Sequence, residues 1–472
     1  MTRFSMLFLG VAAAAPAALA QQAPAAGAGP AVTATTPAPA QTPATAIVSP
    51  KPATPVVDKW SATLYGFAEL DTIYDTRQGI GEVPGNPVLP HAGSYAGYSD
   101  RTQFSIRNSR VGFRFSSPEF RRMRASGLVE MDFFGSQPNG AGGNSEAGQF
   151  NSAPLRVRHA MGKLETPYVD ILAGQYWELF GWQPYFHPNT VEVQGVPGEV
   201  YSRTAQLRLS RTFRTDPVNV DVAVAAVRPP QRDAGLPDGQ AGVRVAFNGL
   251  KGARTAGSTG SSIDPASIGV SGTVRKFALE TPVAGGTPDP RAQSTATGWG
   301  VSFDGILPVI PATVDDRSNA ITLTGSYVRG SGIQDLYSGF SNGGGALPLS
   351  GQLASSNAID NGLAAFDASG KLQSIDVRSF IIGAQYYLPI DRGAVWVAGN
   401  YSQVHSDNAD LNAGAVAKGS SFLRSRWADA CIFWDATPAV RFGAEYAWFE
   451  NLLADRTLAH NQRYQLSVFY IF

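Results

Sequence analysis

Charged residues recur at every second position in several apolar runs, and that spacing suits a lining that faces water. Between positions 64 and 71, Leu64, Gly66, Ala68 and Leu70 alternate with Tyr65, Phe67, Glu69 and Asp71. Successive side chains of a strand point to opposite faces, so Glu69 and Asp71 share one face. By the same parity Arg110 and Arg114 oppose Val111, Phe113 and Phe115, and Glu130 and Asp132 oppose Val129, Met131 and Phe133. Arg156 and Arg158 oppose Leu155 and Val157. Arg208 lies between Leu207 and Leu209, Arg244 lies between Val243 and Val245, and Arg275 takes the same parity in its own run. Arginine and carboxylate clusters projected into one lumen would create a transverse field and sort ions and solutes. The alternative is that these charges pair with each other and stiffen a wall. So many inward charges suit water better than a packed core, which favours the lining. Of 37 basic residues only seven are lysine. The arginine fork matches carboxylate and phosphate.

The remaining reactive side chains form no catalytic pattern. Gly339-Phe340-Ser341-Asn342-Gly343 matches G-x-S-x-G but sits in a Gly-rich stretch. A nucleophile elbow needs a strand-to-helix turn. His91, His159, His187, His405 and His460 are scattered without metal-ligand spacing, and they read as solvated loop or wall residues. The single Cys431 cannot form an intramolecular disulfide and reads as a small buried residue on a strand. Basic and acidic residues balance at 37 each, so no global field attracts nucleic acid. No enzyme activity, cofactor or metal site is expected.

The elements that must position the charges are strands. Met1-Thr2-Arg3, the apolar run from Phe4 to Ala15, and Ala18-Leu19-Ala20 read as a secretory signal peptide over 1–20. Residues 21–58 are rich in Ala, Pro and Thr and read as a disordered periplasmic linker. Past the signal peptide no run of 18 apolar residues follows, which argues against membrane helices. From 59 to 472 alternation dominates. It predicts sixteen strands near 62–75, 104–115, 125–134, 155–164, 168–178, 205–213, 218–228, 240–248, 268–280, 298–306, 319–329, 375–387, 393–404, 422–434, 439–449 and 462–472.

Connection lengths alternate. Long ones are expected at 76–103, 135–154, 179–204, 281–297, 330–374, 405–421 and 450–461, with a shorter member at 229–239. Tight turns are expected at Thr166-Pro167, Thr215-Asp216-Pro217, 388–392 and Asp435-Ala436-Thr437-Pro438; 249–267 and 307–318 fit less well. The fold class is therefore all-β: a transmembrane antiparallel barrel of sixteen strands, with short periplasmic turns and long extracellular loops. An even strand count puts both barrel ends on the periplasmic side. The last strand, with Tyr464, Leu466, Val468, Tyr470 and Phe472 on one face, is expected to close the barrel.

The segment 179–204 carries aromatics and prolines where other long connections carry Gly and Ser. It is expected to fold back into the lumen as a constriction loop, with Glu192, Glu199 and Arg203 as its polar candidates. The alternative is an external cap or subunit contact.

Several stretches carry a family resemblance. Ser109-Arg110-Val111-Gly112-Phe113 resembles the second-strand motif of trimeric bacterial porins, and Leu64-Tyr65-Gly66-Phe67 resembles their opening strand. Leu172-Ala173-Gly174-Gln175-Tyr176-Trp177, Ala205-Gln206-Leu207-Arg208, residues 327–333, and Gly443-Ala444-Glu445-Tyr446 leading to Asn461-Gln462-Arg463 resemble the DcaP-like porin family. The resemblance runs from about Trp60 to Phe472 and rests on the order of individually weak motifs. It implies a homotrimer of sixteen-stranded barrels in the bacterial outer membrane that passes small anionic solutes, dicarboxylates among them. Arg110 and Arg208 would be its pore arginines. Two departures stand out: the Ala/Pro/Thr linker where members often have a coiled coil, and Trp448-Phe449-Glu450-Asn451 where a Gly-containing loop start is usual.

The expected function is passive diffusion of small hydrophilic, preferably anionic, solutes through a barrel embedded in outer-membrane lipid. A structural or adhesive barrel and a barrel enzyme are the alternatives.

Overall fold

The computed structural model describes residues 59–472 except 83–84, 136–152, 192–194, 231–234, 256–259, 282–288, 290, 339–361, 368, 412–417 and 420. The expected signal peptide and linker, Glu192 and the G-x-S-x-G stretch lie outside the described residues. No described helix is long and apolar enough to cross a membrane.

Sixteen antiparallel staves close into one barrel. In chain order they are β1 (Ser61–Asp75), β2 (two segments, Arg101–Ser105 and Arg110–Ser116), β3 (Arg124–Asp132), β4 (Arg156–Glu165), β5 (Asp170–Trp177) and β6 (Arg203–Arg214). Then come β7 (Val218–Val227), β8 (Asp238–Arg254), β9 (Ser262–Glu280), β10 (Gln293–Ile310) and β11 (Ile321–Ser331). The last are β12 (Asp376–Tyr387), β13 (Val395–His405), β14 (Phe422–Thr437), β15 (Val440–Leu453) and β16 (Leu458–Ile471). Each pairs with its chain neighbours, and β1 pairs with β16 in the register Asp71↔Ser467 and Asp75↔Arg463. Closure leaves no open edge, which a wall in lipid requires because hydrocarbon offers no hydrogen-bond partner.

Alternation sets the two faces. Leu64, Leu70, Val129, Val157, Leu207, Leu209, Tyr464, Leu466, Val468 and Tyr470 are exposed on the outside. Glu69, Asp71, Glu130, Asp132, Arg208, Gln465, Ser467 and Phe469 are buried inside. The outer face thus carries an apolar band, the pattern of a wall on whose lipid side a carboxylate would be costly.

Five boundaries differ from the sequence expectation. The stretch 450–461 is not a long loop. β15 continues to Leu453 and β16 begins at Leu458, leaving only Ala454–Thr457 as turn. The reason is visible in the inward residues: Phe449 and Asn451 keep the parity and are buried, so pairing with β16 continues through them. The same continuation resolves 249–267 and 307–318. β8 and β9 extend past a register shift at Pro265/Ala266, and β10 runs through Pro308 to Ile310. β14 likewise reaches Thr437, which shortens the expected turn at 435–438. Conversely, β2 breaks between Ser105 and Arg110, where the Ser109 N–H turns back to Ile106 O at 3.0 Å.

Candidate functional site

The aromatic segment after β5 folds into the barrel, as its composition suggested. Its root crosses to the inner face of β8 and β9. The Phe180 N–H donates to Gln240 Oε1 at 3.0 Å, the Gly181 N–H to Ser271 Oγ at 2.8 Å, and Trp182 Nε1 to Val270 O at 3.2 Å. The Trp182 ring lies over Gly242 and Gly269; a Cβ on Gly269 would meet it at 2.8 Å. Two inward glycines thus make the seat into which the indole fits.

The tip reaches the far wall. Trp396 Nε1 donates to Asn189 Oδ1 at 2.8 Å, and Asn400 Nδ2 donates to Asn189 O at 3.0 Å, both from β13. The Val191 N–H donates to Glu445 on β15. The returning limb is held by Tyr201 N–H to Leu336 O at 2.8 Å. Leu336 belongs to a second inward segment, whose Ile333 and Tyr337 pack with Phe180, Val200 and Val404. This second segment has no counterpart in the sequence expectation, because its apolar residues are few and follow a glycine-rich strand end. The loop therefore braces against β8, β9, β13 and β15, while its His187 and Tyr201 pack on Trp177 of β5.

The wall of β1–β6 carries the arginines. Arg158 lies 2.7 Å from Glu130 and 3.1 Å from Asp132; Arg156 lies 2.6 Å from Asp132; Arg110 lies 3.7 Å from Glu130. Three guanidiniums share two carboxylates. Arg114 stacks on Tyr65 with its guanidinium carbon 4.0 Å from the ring centroid, and Arg203 sits over Trp177 at 4.6 Å and Tyr201 at 5.0 Å. Arg208 donates to Gln206 Oε1 at 3.0 Å and to Trp177 O. Burial pushes the Tyr201 phenol up, but Arg158, Arg203 and Arg110 outweigh it and hold the phenol below its ordinary range.

The chain's fold has known counterparts. DcaP, an outer membrane channel of Acinetobacter baumannii, superposes with a TM-score of 0.60 at 17% identity, over 88% of this chain and 98% of that one. The chain has the porin fold. An anion-selective porin from Comamonas acidovorans gives a TM-score of 0.46 at 10% identity, over 88% and 100% of the two chains. OmpT, an outer-membrane protein of Vibrio cholerae, gives 0.47 at 11%, over 88% and 98%. No protein-family model and no curated protein matches the sequence. The likeness to DcaP that the scattered motifs suggested is thus met by the fold.

Within this porin barrel the inward parity holds for every candidate on the strands, but the candidates divide by environment. Arg114 is exposed and Arg156 partly so, while Arg110, Arg158 and Arg208 are largely covered. Arg244 pairs with Asp221 at 2.7 Å and stacks on Tyr185. Arg275 is buried between Asp238 at 2.9 Å and Asp335, which ties β9 to the second inward segment. Glu199 accepts from the Gly195 N–H at 2.9 Å and hydrogen-bonds His187 Nδ1 at 2.6 Å, so it braces the loop internally.

Two histidines depart from the solvated reading. His187 is buried beside Glu199, and His159 is buried on the wall against Tyr176 and Trp177. A bulge between Glu130 and Met131 leaves Arg158 unmatched in the ladder and turns both Arg158 and His159 inward. Strict alternation would place His159 outside, so only the register reveals it. Cys431 is buried on β14 under the loop tip, as its composition suggested.

Proposed function

We propose that this chain is an outer-membrane porin through which small hydrophilic solutes diffuse passively, with a preference for anions and dicarboxylates among them. The observation that carries this reading is the charge imbalance on the wall facing the loop. Arg110, Arg156 and Arg158 share Glu130 and Asp132, while Arg114, Arg203 and Arg208 form no ion pair among the described residues. Opposite a loop that narrows the lumen, this excess lowers the energy of an anion in transit and raises that of a cation. The outer apolar band would sit in lipid, and the likeness to an outer membrane channel supports that placement. A homotrimer is part of the proposal and is tested by chemical cross-linking in detergent.

Purified protein in a planar bilayer under a salt gradient tests the channel. A conducting pore whose reversal potential shows anion preference is expected, and neutralising Arg114 with Arg208 weakens that preference. Cation preference in the native chain would overturn the arginine argument. A second reading is favoured by the apolar cluster of Phe180, Val200, Ile333 and Leu336 within the lumen. It is a closed structural barrel, and absence of any conductance would establish it over the porin.

A further inference from the structure

Glu69 and Asp71 lie two residues apart on the inner face of β1, and both are almost fully buried. Their carboxyls are within hydrogen-bonding reach of each other. Neither forms an ion pair among the described residues. The nearest guanidiniums are engaged elsewhere: Arg463 with Asp75 at 2.9 Å and Arg110 with Glu130. Two carboxyls in contact away from water need a positive partner, because each charge raises the cost of the other.

Neighbouring side chains hold both carboxyls in place. Asn108, from the kink in β2, donates its Nδ2 to Glu69 Oε2 at 2.7 Å. Gln465, from β16, donates its Nε2 to Asp71 Oδ1 at 3.0 Å, and Ser467 Oγ donates to the same oxygen. The amides therefore flank the carboxyl pair from both neighbouring strands. Yet Glu69 Oε1, Asn108 Oδ1 and Gln465 Oε1 are buried and accept no hydrogen bond among the described residues. Each orphaned acceptor is costly, because buried polar groups are ordinarily satisfied. A cation bound among the carboxyls would offer such oxygens a partner.

We propose that Glu69, Asp71, Asn108 and Gln465 form a site for a hard divalent cation, calcium in particular, at the seam where the barrel closes. The donor set is oxygen only, without nitrogen or sulfur ligands, which excludes a preference for zinc or copper. Calcium accepts an irregular mixture of carboxylates and amide carbonyls, whereas magnesium demands near-octahedral order and holds its water. A bound ion would tie β1 to β2 and β16, joining the first and last staves. It would also cancel two lumen carboxylates. The proposal stands apart from whether the barrel conducts.

The test is calorimetric titration of chelator-treated, detergent-solubilised full-length barrel with calcium chloride, and separately with magnesium chloride. Saturable calcium binding at one site per chain is expected, tighter than magnesium binding. Glu69→Gln keeps the size of the side chain and should weaken binding by roughly tenfold or more, at least what even outer-shell changes cost. Heat-modifiable gel migration establishes that the variant is folded. Should Glu69→Gln fail to fold, Gln465→Leu serves in its place and should weaken binding in the same direction. Absence of saturable binding at millimolar calcium overturns the site in favour of a proton shared by the two carboxyls. Binding unchanged in the folded variant also overturns it, since the ion would then sit elsewhere.

Discussion

Asp75 and Arg463 stand 388 residues apart in the chain, yet their side chains meet in a two-pronged pair across the seam that closes the barrel. Arg463 Nε lies 2.9 Å from Asp75 Oδ1 and Nη2 lies 2.9 Å from Oδ2. Asp75 also accepts from Asn461 Nδ2 at 2.9 Å, and Arg463 also donates to Gly81 O at 2.9 Å. Both are buried, so the pair holds β1 against β16 where water does not screen it.

Removing one partner of that pair strands the other charge. Arg463→Met should destabilise the folded barrel by about 3–5 kcal/mol. Adding Asp75→Asn should restore part of the loss. Urea unfolding in micelles, followed by tryptophan fluorescence, measures both. A single variant within about 0.5 kcal/mol of wild type, the ordinary range for surface changes, would show the seam pair to be dispensable.

The arginines should separate into those that steer ions and those that hold structure. Arg114 is exposed and stacked only on Tyr65, so Arg114→Ala should leave stability within about 0.5 kcal/mol. It should move the reversal potential toward cations. Arg158 is buried between Glu130 and Asp132, and Arg158→Ala should cost about 3–5 kcal/mol. Equal stability losses in the two variants would contradict this division.

The seat of Trp182 predicts what displaces the loop. A valine at Gly269 would bring its Cβ within 2.8 Å of the indole. The rigid ring cannot yield by rotation of a flexible end, so overpacking of about 1–3 kcal/mol should push the loop root from the wall. Single-channel recordings should then show altered conductance and more current noise in Gly269→Val. A trace indistinguishable from wild type would place the indole elsewhere.

Cys431 reports on the loop tip. It is buried, with Sγ 3.7 Å from Asn189 O. Asn400→Ala removes the donor that also holds this carbonyl, a loss of about 1–3 kcal/mol where a buried partner is left unpaired. Labelling of Cys431 by a small thiol reagent should accelerate by roughly tenfold for each 1.4 kcal/mol of lost latch. Mass spectrometry of timed aliquots gives the rate. An unchanged rate would mean that the tip does not govern access to the thiol.

What the sequence determined by itself was the wall. Period-two alternation is local, and lipid outside with polar groups inside leaves little freedom in how it is read. All sixteen staves, the inward parity of Glu69, Arg110, Arg208 and their companions, and the unusual chemistry of 179–204 follow from neighbours along the chain. Tertiary structure decided what those inward residues meet. Strand ends such as Phe449 and Asn451 continue because their partners on β16 continue, which alternation alone does not show. The bulge that turns His159 inward depends on a register between two strands. The union of Asp75 with Arg463, the sharing of Glu130 and Asp132 by three arginines, and the gathering of Glu69, Asp71, Asn108 and Gln465 all join distant segments. Only closure of the sheet brings them within bonding distance, because a charge's partner is set by geometry across the barrel and not by spacing along the chain.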